Sequence, residues 1–508
     1  MGLKRGRLLK DMGAVGVSLY VTRALYMVRG LVTARFLGPS DYGVWGTLGI
    51  LLNYSNLAPL GSAEAVSRQV PYYTERGEPE RARTVKEQSF SFNLYASLFA
   101  SALILLYTWV YRASMSPVFF LGLHVAAVGL TLQQLYFFYG IVLRADRRFF
   151  FQSKVNVLFA LVSVPLTIAL VAFLRLRGLY LSYLLAYAWI VGYLVLKVPI
   201  ALRARLDRSL IVDLVRIGFP VYLLGLVYTL FMSVDRMVIA KFLTSADMGY
   251  YTIAYTVISA LGEVPMVIAQ VMSPNLIGRY SRSATPAEML PYVEMPTVAI
   301  ATFFPALLVV VVIGVEWVLH YILPRFLPGF VAMEILLFGA VFIALTRGPS
   351  SFLLAVRKQI VAVAIYAICV LAALGLNLWF VKIGWGLVGV AIATSATYAL
   401  LFALYVTYVF TFFFGRHVGA YARLYARLLL PFAVSALLYI ALRVAIPMHG
   451  HAPFADAGWA LMRMAIYLTL VTPFLIRFLR RYGLWEPLLQ RVRWDRIRDR
   501  FPFPRRRR

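Results

Sequence analysis

Continuously apolar runs of close to twenty residues, separated by short polar segments, recur along nearly the whole chain. A bilayer's hydrocarbon core needs about 20 helical residues to cross it, so each run predicts a transmembrane helix. None alternates every second residue, which argues against a β-barrel. Fourteen spans are predicted, over 12–36, 42–66, 88–111, 117–142, 155–174, 178–200, 214–240, 247–273, 292–314, 331–352, 360–381, 385–409, 428–446 and 459–479. The fold class is an all-α, polytopic integral membrane protein of about 14 transmembrane helices, with no soluble domain between them.

The polar positions inside these spans also keep helical spacing. In the first span Ser18, Thr22, Tyr26, Arg29 and Thr33 fall on one stripe, with Arg23 beside it. The seventh span carries Tyr222, Gly225, Thr229, Ser233 and Arg236, with Asp235 adjacent. The second offers Asn53, Asn56 and Glu64; the eighth offers Tyr251, Tyr255, Ser259, Glu263 and Gln270. A polar stripe on a membrane helix faces protein or water rather than lipid.

The first and seventh spans share more than a pattern. Residues 28–43 lie on 234–249 without a gap: Val28/Val234, Val32/Val238, Ala34/Ala240, Phe36/Phe242, Leu37/Leu243, Asp41/Asp247 and Gly43/Gly249 recur, and Arg35 meets Lys241. Pro59 meets Pro265 at the same offset. A second echo sets Leu143, Ala145, Arg147 and Arg148 on Leu353, Ala355, Arg357 and Lys358. The chain therefore divides into an N-lobe (1–206), a C-lobe (207–410), an additional helix pair (411–480) and a basic cytoplasmic tail (481–508). Duplicated membrane lobes are how many transporters build a site between halves that rock. Gly43 and Gly249 each follow an aspartate and are read as turn glycines.

Composition agrees. Hydrophobic residues make up 62% of the chain, and mean hydropathy is +0.79, far above soluble domains. The net charge of +29 invites a nucleic-acid reading, but its distribution does not fit one. Lys and Arg crowd alternate loops: Lys4, Arg5, Arg7 and Lys10; Arg68 to Lys86; Arg144, Arg147, Arg148 and Lys154; Lys197 to Arg208; Arg279 and Arg282; Arg357 and Lys358; Arg416, Arg423 and Arg427; and twelve arginines from Arg477 to Arg508. The opposite loops hold only Arg35, Arg112, Arg175, Arg177, Lys241, Arg325 and Lys382. By the positive-inside rule both termini are cytoplasmic, with the protein in the plasma (inner) membrane. The terminal arginines serve as a topology anchor or meet anionic lipid headgroups. Cys369 is the single cysteine, so no intramolecular disulfide forms.

The sequence carries no catalytic signature, and the chain is read as a non-enzyme. The longest outer loops, 315–330 and 447–458, are too short for a catalytic domain and hold only Glu316 and Asp456 as acids. The histidines show no ligand spacing beyond the weak His449-Gly450-His451, so no metal is assigned. No nucleotide fingerprint appears, and no cofactor is expected.

Charge inside a span costs roughly 2.5–3.5 kcal/mol near the bilayer centre by insertion scales. Substrate-binding candidates in a central cavity are therefore Arg23, Arg29, Arg236, Arg347, Tyr26 and Thr22. Asp235, Glu64 and Glu263 are candidates for gating or ion coupling. Arg29 and Arg236 sit in outer helix halves, where snorkelling is the alternative; Glu64 has Arg68 as an alternative partner. Arg29 and Asp235 occupy equivalent repeat positions, so an ion pair closing the outer gate is also expected. A cavity in which arginines outnumber carboxylates suits phosphate or carboxylate, which arginine grips with two parallel hydrogen bonds.

The run Ala34-Arg35-Phe36-Leu37-Gly38-Pro39-Ser40-Asp41-Tyr42-Gly43 resembles the start of polysaccharide flippases of the multidrug/oligosaccharidyl-lipid/polysaccharide exporter superfamily. Val234 to Leu243, followed by Met248-Gly249-Tyr250-Tyr251, and Gly386 to Thr394 resemble further motifs of that family. The resemblance covers roughly 10–410. It implies two six-helix lobes around a cleft that opens alternately to either face, and a substrate built on a polyprenyl diphosphate. It also implies that the last helix pair forms a groove for the lipid tail. The partners expected are a lipid-linked glycan with an anionic diphosphate, membrane lipids, and glycosyltransferases or a polymerase of the same pathway, with no nucleic acid. Two other readings stay open: a cation- or proton-coupled exporter of small amphipathic molecules, and a non-transporting scaffold for glycan-assembly enzymes.

Overall fold

The computed structural model describes residues 2–54, 57–280, 286–356, 358–414, 418–447 and 453–481. Side chains of 2–20, 267–280, 286–288, 291, 412–414 and 418–421 are not described. The positions of Asn56, Arg282, Arg357, Arg416, His417, His449 and His451, the tail beyond 481, and the side chains of Lys4, Arg5, Arg7, Lys10, Ser18, Gln270 and Arg279 thus lie outside the described residues.

Every element among the described residues is helical. In chain order these are α1 (Gly2–Tyr54), α2 (Ser62–Glu75), α3 (Pro79–Val110), α4 (Pro117–Ala145), α5 (Phe149–Lys197), α6 (Arg208–Phe231), α7 (Val234–Phe242), α8 (Ser245–Tyr280), α9 (Pro286–Tyr321), α10 (Phe330–Leu345), α11 (Arg347–Ala355), α12 (Gln359–Lys382), α13 (Gly386–Phe414), α14 (Val418–Ala445) and α15 (Pro453–Arg481). Among the described residues, ten stretches are long and apolar enough to cross a membrane, and the chain is a multi-pass membrane protein.

Two rods, α1 and α5, each run through two predicted spans, and in α1 local chemistry marks the break. Gly38 leaves helical geometry at φ 75° and ψ 175°, and Pro39 starts the second half of α1. Glycine past a helix end and proline just inside the next follow the usual preferences. In α5 the break falls at Arg175 (φ 49°, ψ −128°). The predicted second span ends early: Leu60 and Gly61 adopt positive φ before α2 begins, after Pro59. The seventh span divides at Met232 and Ser233 into α6 and α7, and the tenth at Thr346 into α10 and α11.

Capping explains the duplicated Asp247. The Thr244 amide donates to its carboxylate at 3.0 Å, and the Asp247 amide returns a bond to Thr244 Oγ1 at 3.1 Å. This is a capping box at the start of α8. Asp207 caps α6 by accepting from the Ser209 and Leu210 amides at 2.9 and 3.2 Å. The Leu210 amide, then Ser209, hold its carboxyl below the usual carboxylate range.

The chain forms two compact units. The first comprises Met1–Ala260, Arg325–Met333 and Tyr366–Ala393; the second comprises Leu261–Pro324, Glu334–Ile365 and Thr394–Arg508. In the first, α1 packs on α5, α3 on α4, and α2 on α3 and α6. Its core includes Val66, Val70, Phe138, Tyr139, Val142, Leu143 and Ile190.

Gly43 and Gly249 correct the turn reading: both lie within helices. A Cβ built on Gly43 would stand 1.7 Å from the Ser245 carbonyl oxygen, and one on Gly249 would stand 2.0 Å from that of Pro39. Pro39 and Ser245 are themselves repeat equivalents, so each repeat's glycine meets the other's helix start. Gly46 likewise meets its own equivalent, Thr252, whose Oγ1 would lie 2.2 Å from an added Cβ. Reciprocal contact of equivalent positions is the mark of a two-fold relation. The glycines are there because two backbones touch.

In the second unit α9 packs on α11, α14 and α15. Among the described residues, three ion pairs join the last helix pair to α9 and α10. Arg427 meets Glu294 and Arg443 meets Glu334. Arg463 reaches Glu316 at 2.7 Å with both side chains under one-tenth exposed. Tyr321 donates to Asp456, and Trp317 Nε1 donates to the Pro453 carbonyl at 3.2 Å. The two outer-loop acids of the sequence are therefore structural partners.

Candidate functional site

A cavity of about 760 Å³ opens within the first unit, walled by α1, α2, α4 and α5. The stripe on α1 delivers Thr22, Arg23, Tyr26, Arg29, Gly30 and Thr33 to it, as i, i+4, i+7 spacing requires. Past the Gly38 break, Tyr42 and Trp45 continue the lining, and α2 contributes Glu64 from its first turn. From α4 come Gln134, Tyr136 and Arg144; from α5, Gln152, Asn156, Phe159, Tyr183 and Tyr187. Among the described residues, three arginines thus face one carboxylate.

Arg23 is exposed to this space and Arg29 is half-buried. The Arg29 guanidinium lies 4.9 Å over the Tyr26 ring, a cation–π contact that orients it without neutralising it. Glu64 makes no ion pair with Arg68; it sits at a helix N-terminus, where a carboxylate is favoured. Arrayed arginines in a partly enclosed, low-dielectric space attract an anion more strongly than in water.

The other candidates lie elsewhere. Asp235 and Arg236 are buried on α7. The Asp235 carboxylate accepts from Tyr251 and, at 2.7 Å, from the Arg236 amide. Arg236 donates through Nη2 to the Met232 carbonyl at 2.6 Å, with its guanidinium 4.0 Å over the Tyr255 ring. Arg29 and Asp235 form no ion pair here. Arg347 opens α11 and Glu263 lies on α8, both half-buried in the second unit.

Sequence reasoning missed Arg144, which it counted with the loop cations, and the α4 and α5 wall. The signal was present: Gln133-Gln134 interrupts an apolar span, as Asn156 does another. A second cavity of about 780 Å³ gathers the ends of α2, α3 and α4. Its cations are mostly matched: Lys86 to Asp146 at 2.5 Å, Arg83 to Glu87 at 2.8 Å, and Arg147 to Glu75 at 2.7 Å. Paired charge leaves little for an anion, so the first cavity is the candidate site.

The architecture is shared with known transporters. The lipid II flippase MurJ, in an inward closed conformation, superposes with a TM-score of 0.69 over 91% of this chain and 99% of that one, at 13% identity. An inward-facing MATE multidrug resistance transporter of the MOP superfamily gives 0.61, over 78% and 97%, at 14% identity. A MOP superfamily transporter from Pyrococcus furiosus, for which reverse polarity of the binding pocket suggests a different function, gives 0.56, over 82% and 96%, at 14% identity. At these identities the likeness defines the fold, that of the MOP superfamily. No curated protein matches significantly in sequence. The model of the polysaccharide biosynthesis protein family matches residues 32–320, and the chain belongs to that family.

Proposed function

We propose that this protein is a flippase that moves a polyprenyl-diphosphate-linked oligosaccharide or glycan precursor from the cytoplasmic to the outer leaflet, for cell-surface polysaccharide synthesis. The observation that carries this reading is the polarity of the 760 Å³ cavity, where, among the described residues, Arg23, Arg29 and Arg144 line the same space as Glu64. A diphosphate is the anion that such a set accommodates, because each guanidinium offers a bidentate fork. Family membership and the fold shared with MurJ support the same reading.

In this scheme the repeat-related lobes, 1–206 and 207–410, rock against each other, and the cavity, which is lined by the first lobe, opens to each leaflet in turn. The reciprocal glycine contact of Gly43 and Gly249 supplies a close crossing about which the helices can separate. Arg236, Asp235, Glu263 and Arg347 line or gate the path in other conformations. The protein resides in the plasma membrane with both termini cytoplasmic, and works beside enzymes of the same pathway rather than as an enzyme. The test is reconstitution into liposomes with a labelled lipid-linked sugar and, separately, with a small lipophilic cation. Movement of the first alone is expected. Movement of the cation alone would replace this reading with that of an amphipathic exporter.

A further inference from the structure

The basic side of the cavity is only part of its wall, and the rest has a different chemistry. The Trp45 and Tyr183 ring centroids lie 5.4 Å apart, and Tyr183 and Tyr187 4.9 Å. Tyr187 continues to Phe159 at 4.9 Å and to Tyr136 at 5.8 Å. Five aromatic rings from α1, α4 and α5 thus form one connected surface, and the Trp45, Tyr136, Tyr183 and Tyr187 side chains are only half-buried.

Two hydroxyls are fixed in place. Tyr183 donates to Gln133 Oε1 at 2.5 Å and Tyr136 to Asn156 Oδ1 at 2.9 Å. Beside them, two cavity-lining polar atoms are buried with no hydrogen-bond partner: Gln134 Oε1, on a residue 4% exposed, and Thr33 Oγ1, on a residue 3% exposed. A buried polar atom without a partner costs about 1–3 kcal/mol, so each needs an explanation. Arg29, 4.9 Å over the Tyr26 ring, lines the same cavity as Tyr136 and Tyr187, so the cationic and aromatic walls belong to one space.

We infer that this aromatic wall is a sugar platform, on which a pyranose ring lies against Tyr187 and its neighbours while Gln134 and Thr33 hydrogen-bond its hydroxyls. A pyranose has an apolar face of C–H groups and a rim of hydroxyls. An aromatic surface flanked by an amide acceptor and a hydroxyl matches both, whereas a purely lipidic ligand would leave Gln134 and Thr33 unsatisfied. The inference rests on the flippase reading and divides its substrate: the diphosphate goes to the arginines and the first sugar to the α4 and α5 wall. Specificity for glycan over bare carrier is then set by residues that touch no phosphate.

The purified full chain in detergent would be titrated with three probes: bare polyprenyl diphosphate, the same carrier bearing one hexose, and the carrier bearing one N-acetylhexosamine. Wild type is expected to bind one sugar-bearing probe roughly threefold to tenfold tighter than the bare carrier, the range of a single aromatic contact. Tyr187→Leu and Gln134→Met should each erase that preference, lowering affinity for the sugar-bearing probe more than for the bare carrier, and Tyr187→Phe should keep it. Arg29→Ala should weaken all three probes alike. Equal binding of all three by wild type, or variants that lose all three in parallel, would overturn the platform and leave the diphosphate site standing. Failure of wild type to bind even the bare carrier would remove both.

Discussion

Arginine serves two opposite ends in this molecule, and the cavity of the first unit and the seam of α9 and α10 with α14 and α15 in the second show them both. In the seam, Arg427, Arg443 and Arg463 each reach a glutamate on another helix. Arg463 is 1% exposed, and its Nε and Nη2 find no partner beyond the one bond to Glu316. In the cavity, Arg29 rests on an aromatic ring, and Arg144 lines the space without a carboxylate partner. A buried charge whose partner lies within the fold serves architecture. On the proposed reading, positive charges facing a cavity that has one acid among the described residues serve a visiting anion. The same residue type therefore predicts opposite phenotypes, large in stability for the seam and large in transport for the cavity.

The greatest loss of stability should come from the seam. Glu316→Ala strands the Arg463 guanidinium and is expected to cost about 3–5 kcal/mol. The detergent-solubilised protein should then melt far below wild type or fail to accumulate. Pairing Glu316→Leu with Arg463→Met removes both charges and should restore most of the melting temperature. A single variant that melts like wild type would show that the pair contributes nothing.

Next in size is the glycine crossing. Gly43→Ala and Gly249→Ala each push a methyl group into a backbone carbonyl, at about 1–3 kcal/mol, the usual range for overpacking. Gly49→Ala, with open space around the new methyl, is the control and should be neutral. Equal melting of all three would dissolve the idea of a close contact.

Smaller again is Glu334→Gln. The Arg443 side chain is 37% exposed, so solvent screens the pair, and about 1 kcal/mol or less is expected by melting. An effect matching that of Glu316→Ala would erase the distinction between buried and accessible pairs.

Much of this was legible in the chain, and for identifiable reasons. Apolar runs fix where helices lie, because the bilayer enforces length and polarity together. The stripe Thr22, Tyr26, Arg29 and Thr33 was readable because helical spacing alone puts those residues on one face, and the cavity lies there. Gly43 and Gly249 were misread, since Asp-Tyr-Gly and Asp-Met-Gly carry turn chemistry while the true constraint is the backbone of Ser245 or Pro39 in the other repeat. The breaks at Met232 and at Arg175 have no glycine or proline at the site, so no local preference announces them in the sequence. Arg144 was hidden for a related reason: a cation near a helix end looks the same in sequence whether it anchors topology or turns into a cavity. The seam was hidden too, because Glu316 and Arg463 are 147 residues apart and periodicity does not report who faces whom.

The smallest stability change and the largest transport change should coincide in Arg23→Ala. Its side chain is exposed to the cavity, so melting should move by no more than about 0.5 kcal/mol, as for a surface substitution. In proteoliposomes loaded with a labelled polyprenyl-diphosphate-linked sugar, outward movement by Arg23→Ala should fall at least about tenfold. Arg23→Lys should recover only part of the rate, because a point charge replaces a bidentate fork. A correctly inserted Arg23→Ala protein that moves the lipid at the wild-type rate would contradict the anion-binding cavity.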